Sequence, residues 1–222
     1  MTISTMIDKE AVEVLNPCTG EVLDTVQLNS VSDLDGAVTR ATEDFGAWKR
    51  LTHRDRSQVM YTYRELLRKH KEELSALIQR ENGKTLDESR AEIDKAIEVT
   101  EFACSLPQLC TDKSMEVSKG IHCRITKKPL GVVASITPFN FPCMVPHWTI
   151  PITIALGNCL ILKPSEVVPL TALRIVELLK EAGLPEGVFQ VVLGKKEMVE
   201  AICDHPGIKA ITFVGSTKVA KI

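Results

Sequence analysis

"GVVASITPFNFPCMVPHWTIPITIALGNCLILKPSE", Gly131–Glu166, decides the fold. It opens on an apolar run, Gly131–Thr137, and returns to one at Cys159–Lys163. Between them stand prolines at 138, 142 and 146, Asn140, and Phe139 and Phe141. The two runs predict strands buried on both faces, because neither alternates with polar residues. Val145–Leu156 predicts a helix between them, ended by Gly157. Further along the chain the alternation continues. Pro169–Ala182 predicts a helix with proline in its first turn and Gly183 after its end. Val188–Leu193 predicts a strand, Glu197–Asp204 a short helix, Lys209–Val214 a strand, and Ser216 the start of another helix. This order predicts an α/β fold built on a doubly wound, Rossmann-like parallel sheet with right-handed crossovers.

Toward the N-terminus the pattern differs. Val12–Leu15 and Glu21–Leu28 flank "NPCTG" and predict a hairpin. Ser32 is placed to cap a helix whose apolar face is Leu34, Val38, Ala41 and Phe45. His53–Arg80 predicts one long amphipathic helix, with its dense charges facing water. In "ENGKTLDE", Gly83 suits a helix C-terminus, and Thr85 with Glu88 makes a capping box for a helix running to about Cys104. Met115–Lys128, "MEVSKGIHCRITKK", alternates weakly and predicts an extended ribbon projecting from the body. An exposed ribbon of this kind invites a partner subunit.

Composition narrows the function. The 222 residues carry 27 Lys and Arg against 29 Asp and Glu, a net charge of -2. A nucleic-acid partner calls for a basic excess that is absent here. The seven cysteines show no CxxC, and no histidine pair has ligand spacing, so no metal site is expected. The N-terminal "MTISTMIDKE" has charges where a secretory leader would be apolar. The cysteines therefore read as reduced thiols in a cytoplasmic protein. Val145–Leu162 is long and nearly uncharged, but Pro146, Pro151, Gly157 and Asn158 break it, so no membrane span is expected.

In an open parallel sheet, ligands bind beyond the carboxyl ends of the strands. Those ends are "ITPFN" (Ile136–Asn140), "KPSE" (Lys163–Glu166), "LGKK" (Leu193–Lys196) and "FVGST" (Phe213–Thr217). All four turn polar, or expose backbone, where the apolar run stops. Lys163 and Glu166 on one turn can grip both hydroxyls of a ribose, and the carboxylate would repel a 2′-phosphate. Gly215 and Ser216 precede a helix N-terminus, which suits a phosphate or is simply a serine cap. No GxGxxG follows any strand, and "GVFQVVLGKK" lacks P-loop spacing. The amide of Asn140 can donate to a developing oxyanion, or it can simply form a turn. Cys143 has no adjacent base and reads as a packing residue, as does His147. His122 on the ribbon has no evident partner.

With these motifs in place, "GVVASITPFNFPCMVPHWTIPITIALGNCLILKPSE", "EAGLPEGVFQVVLG" and "ITFVGST" resemble the NAD(P)-dependent aldehyde dehydrogenase superfamily. "NPCTGEVLDTV" and "ENGKTLDESRAEI" extend the resemblance over essentially the whole chain. "ITPFNFPCMVP" and "CDHPGIKAITFVGS" look most like the CoA-acylating methylmalonate-semialdehyde branch, although Val167 stands where that branch carries an arginine.

The resemblance implies that Asn140 is the oxyanion-hole asparagine, and that Ile136, Thr137, Pro138 and Phe139 line the nicotinamide side. It implies that Lys163 and Glu166 contact the adenosine ribose, and that Gly194 and Ser216 lie near the adenine and pyrophosphate. The cofactor would be NAD rather than NADP, the substrate a small aldehyde, and coenzyme A a candidate acyl acceptor. Residues 1–222 would be the N-terminal cofactor-binding domain, 113–129 the ribbon of a dimer or tetramer. The family's nucleophilic cysteine follows the "GS" motif, and none of the seven cysteines matches it, so the catalytic domain is expected to lie outside this chain. A second reading stays open: a non-catalytic nucleotide-binding or subunit-pairing module.

Overall fold

The computed structural model describes residues 10–221. The stretch read for a leader lies almost wholly outside them.

The chain begins with an antiparallel hairpin, β1 (Ala11–Leu15) and β2 (Val22–Gln27). In its turn the Asn16 side chain accepts a hydrogen bond from the Cys18 amide, and Gly20 takes the left-handed conformation. Four long helices follow: α1 (Val31–Trp48), α2 (His53–Lys69), α3 (Lys71–Asn82) and α4 (Leu86–Cys104). A single turn, α5 (Leu106–Leu109), leads into a ribbon of β3 (Lys113–Ser118) and β4 (Ile121–Ile125). The remainder runs β5 (Val132–Ile136), α6 (Met144–His147), α7 (Ile150–Ala155), β6 (Cys159–Lys163), α8 (Leu170–Glu181), β7 (Phe189–Val191), α9 (Lys196–Asp204), β8 (Ile208–Phe213) and α10 (Thr217–Ala220).

Three expectations are corrected. Ser30, not Ser32, caps α1: its hydroxyl accepts from the Asp33 amide while the Asp33 carboxylate accepts from the Ser30 amide. The pair is a complete capping box, which leaves Ser32 inside the first turn. The long helix over 53–80 is two helices broken at His70, whose backbone (φ -99, ψ 14) leaves the helical region. Both pieces, α2 and α3, pack on α4 and α8. The helix over 145–156 is also two pieces. Pro151 has no N–H to give the His147 carbonyl, and its ring clashes with that carbonyl, so α6 stops there. The capping box of Thr85 and Glu88 and the left-handed Gly83 stand as expected.

β7, β6, β5 and β8 form one parallel sheet in that order. Every residue of β5 and β6 is buried, so both faces of the sheet are covered, as their nearly continuous apolar sequences require. The α1 helix packs on β5 and β6, α7 on β6, and α8 on β7, with α2, α3 and α4 packed behind α7 and α8. The chain steps outward from β5 to β6 to β7, then returns to place β8 on the other side of β5. The order therefore reverses between β5 and β8, which is where an open sheet leaves a crevice.

The hairpin lies at the β7 edge. Val14, Val26 and Leu28 bury against Leu193, and Asn29 pairs through its backbone and side chain with Leu193. The β3–β4 ribbon is exposed at every residue, with Met115, Val117, Ile121 and Ile125 each about half accessible. Among the described residues, no helix is long and apolar enough to cross a membrane, and no group of His, Cys, Asp or Glu is placed to hold a metal ion.

Candidate active site at the strand ends

The carboxyl ends of three adjacent strands are hydrogen-bonded to one another. The Thr137 amide donates to the Lys163 carbonyl at 3.1 Å, and the Val214 amide donates to the Ile136 carbonyl at 3.1 Å. The Val192 amide donates to Leu162 at 2.9 Å and brings in the fourth. Ile136, Thr137 and Lys163 thus sit side by side at the carboxyl ends of β5 and β6. Lys163 is 6% exposed, and its ammonium lies 3.0 Å from Glu166 Oε2. The Thr137 hydroxyl is buried with no hydrogen-bond partner within the protein. An unmet buried hydroxyl of this kind is costly unless something else satisfies it.

Beyond Thr137 the chain leaves the sheet. Pro138 is half-buried, while Phe139 and Asn140 are exposed. Gly194 is buried just past β7 against α9, where a β-carbon would come within 2.5 Å of Met198 Cβ. Ser216 caps the four-residue α10, its hydroxyl accepting from the Val219 amide at 3.4 Å. A β-carbon at Gly215 would meet the tip of the Phe213 ring at 2.4 Å, so that ring would have to swing aside. Gly194 and Ser216 lie at opposite ends of the four-strand row, roughly 14 Å apart at ordinary strand spacing. So Ile136, Thr137, Lys163 and Glu166 cluster, while Gly194 and Ser216 flank the cluster from either side.

The residues between Asn140 and Trp148 are held from within the core. His147 is fully buried. Its Nε2 lies 2.8 Å from the Tyr63 hydroxyl and its Nδ1 2.8 Å from the Cys143 carbonyl. Burial lowers its pKa to about 4, so the ring is neutral, donating through Nδ1–H and accepting from Tyr63. The Cys143 thiol is pushed well above its ordinary range, mainly by burial. It is therefore no thiolate nucleophile, and the packing reading of Cys143 and His147 agrees with this environment.

A pH dependence follows. Above about pH 6.5 His147 is neutral whether folded or unfolded, and its contribution is constant. Between about 6.5 and about 4 the unfolded state takes up a proton that the folded state refuses, so stability falls with pH by up to about 3 kcal/mol. Denaturation midpoints of the intact protein from pH 7.5 to 4.5 are expected to decline over that window, and His147→Gln to decline less. Equal slopes would mean that the ring titrates normally.

Several residues that build this region were not singled out from sequence. Glu92 of α4, 3% exposed, accepts the Cys143 amide at 2.7 Å and the Met144 amide at 2.9 Å. Lys84 donates to Glu92 at 2.6 Å and lies 3.7 Å from the centroid of the Phe141 ring. Asn82 donates to the Phe139 carbonyl at 2.8 Å. Glu81 accepts from the Leu170 and Thr171 amides at 2.8 and 2.9 Å. One signal was available: Glu81 follows Leu74 and Ile78 on the buried face of α3, and Glu92 sits between buried Ser89 and Ala96 on α4. A carboxylate on an apolar stripe needs a partner.

Sheet order and strand ends are those of an open α/β protein, a class in which ligands bind at the carboxyl edge near the switch point. Residues 5–222 match the aldehyde dehydrogenase family. The chain belongs to that family. It is 46% identical over 209 residues to the malonate-semialdehyde dehydrogenase of Lacticaseibacillus casei, covering 94% of this chain and 42% of that protein. The crystal structure of methylmalonate-semialdehyde dehydrogenase from Oceanimonas doudoroffii superposes with a TM-score of 0.94 at 41% identity, over 96% of this chain and 44% of the other. Betaine aldehyde dehydrogenase from Staphylococcus aureus, in complex with NAD+, gives 0.91 at 29% identity, over 95% and 43%. The chain thus spans less than half the length of these relatives.

Proposed function

We propose that this chain is the N-terminal, cofactor-binding part of an NAD-dependent aldehyde dehydrogenase acting on a semialdehyde, with the acyl group passed to coenzyme A. The observation that carries the reading is the row of strand ends, where Thr137, Lys163 and Glu166 converge and Asn140 follows on the adjoining loop. The malonate- and methylmalonate-semialdehyde relatives and the NAD+-bound structure support the substrate and cofactor classes.

Gly194 and Ser216, at the two ends of that row, would lie near the adenine and the pyrophosphate of a bound dinucleotide. Lys163 and Glu166 would hold the adenosine ribose, and the Glu166 carboxylate would disfavour a 2′-phosphate. Ile136, Thr137, Pro138 and Phe139 would line the nicotinamide side. When bound, the nicotinamide accepts hydride. Asn140 offers its side-chain N–H to the oxygen of the aldehyde as that oxygen gains charge under nucleophilic attack. The nucleophile itself is assigned to a cysteine beyond this chain. The exposed ribbon, 113–129, pairs with a second subunit.

The test is an assay of the full-length protein with malonate or methylmalonate semialdehyde, NAD and coenzyme A. The expected result is NADH and acyl-CoA formed in equal amounts. Lys163→Ala should raise KM for NAD about tenfold, the cost of one charge-assisted contact. NADH formed without coenzyme A at the same rate would replace acyl transfer with hydrolysis. No NAD reduction, with no NAD binding, would favour the subunit-pairing reading.

A further inference from the structure

We propose that Asn82, Lys84 and Glu92 are positioning residues that aim the Asn140 amide, an inference that rests on reading Asn140 as the oxyanion donor. Asn140 is exposed, and the segment from Thr137 to Cys143 has neither helix nor strand around it. Nothing in local secondary structure fixes its direction. Its neighbours, however, are all held. Asn82 binds the Phe139 carbonyl at 2.8 Å, and that carbonyl belongs to the peptide whose nitrogen is Asn140's own. Lys84 lies against the face of the Phe141 ring. Glu92 Oε1 accepts both the Cys143 and Met144 amides, and its Oε2 is anchored by Lys84.

Positions 139, 141, 143 and 144 are thereby tied to one short segment, 82–92, and position 140 is left pointing out between them. The ties are coupled on one side and independent on the other. Glu92 and Lys84 form a desolvated ion pair, with side chains 1% and 16% exposed, so losing the carboxylate frees two loop amides and the Phe141 contact together. Asn82 acts alone, from a half-buried site at the end of α3. The segment can reach the loop because Gly83 turns it sharply, with φ of 82. A side chain there would also strike Pro17 at 2.8 Å. Capping needs alone do not explain the cluster: a buried, paired carboxylate is an expensive way to satisfy two amides beside a four-residue helix. Holding a single donor in place does explain it, since a misplacement of about 1 Å can cost a hundredfold in rate.

The experiment is a mutant cycle in the full-length enzyme, reading kcat for aldehyde-dependent NADH formation, KM for NAD, and melting temperature. Asn82→Ala is expected to lower kcat about tenfold and Glu92→Gln about 10–100-fold, each with KM for NAD within about twofold of the parent. In an Asn140→Ala background neither change should lower kcat further, because the group they aim is gone. Losses that multiply in that background would overturn the proposal, and so would unchanged kcat in the two single variants when Asn140→Ala alone is slow. An Asn140→Ala enzyme at full rate would overturn the reading of Asn140 itself, a separate outcome. If Glu92→Gln does not fold, Asn82→Ala, which touches only a loop carbonyl, decides the matter.

Discussion

Asn140→Ala in the full-length enzyme is expected to lower kcat by about 10²–10³-fold and leave KM for NAD nearly unchanged. On the proposed reading of Asn140 as the oxyanion donor, the magnitude is that of losing one preorganised donor. The aldehyde oxygen is a weak acceptor in the ground state and a strong one once the carbon is attacked, so the amide matters most in the transition state and the loss falls on kcat. Because Asn140 is exposed and outside any helix or strand, the substitution removes no core packing, and the melting temperature should move little. Asn140→Asp should be slower still, since it sets a negative charge beside the developing one. Steady-state kinetics check both, and a change below about threefold would remove Asn140 from the chemistry.

Glu81→Ala is expected to destabilise the protein by about 3–5 kcal/mol. Glu81 is 2% exposed and receives the Leu170 and Thr171 amides and the Thr171 hydroxyl. These are the first donors of α8, whose N-cap, Pro169, offers no side-chain acceptor. A carboxylate distant in sequence does the work of a cap and also places negative charge at the helix's positive end. Burial raises the Glu81 pKa, working against its hydrogen bonds to Thr171 and Leu170. Alanine would leave several buried donors unmet; Glu81→Gln keeps one acceptor oxygen and should cost about half as much. Denaturant titration of both variants gives the comparison. A loss under about 1 kcal/mol for alanine would mean that another group takes over the cap.

Much of the sheet was legible. Val132–Ile136 and Cys159–Lys163 are each apolar at all but one position, a pattern that suits a strand covered on both faces. The end of α3 at Gly83 and the start of α4 at Thr85 carry their chemistry within four residues, so local reading finds them. The break at His70 has no proline or glycine to announce it, so helical periodicity runs through it unmarked. Pro151 did announce the break after α6, but the apolar run around it reads as continuous. The strand order is a property of pairing across long separations and leaves no local trace. The same limit governs the site. Lys163, Glu166 and Thr137 could be placed because they follow strand ends. Glu92 and Asn82 reach residues more than fifty positions away, and no spacing rule connects them.

The return of β8 to the far side of β5 also has a consequence for the order of synthesis. β5, β6 and β7 can pair as soon as they leave the ribosome, since each lies beside the strand made just before it. β8 must instead find an edge of β5 made roughly seventy residues earlier, a non-local closure that is slow by nature. Until it docks, that edge of β5 is unpaired, and the crevice has one wall. A nascent chain caught at this stage offers a sticky strand and no complete pocket. A chaperone acting on this protein is therefore expected to be released when β8 pairs, not when the earlier strands fold.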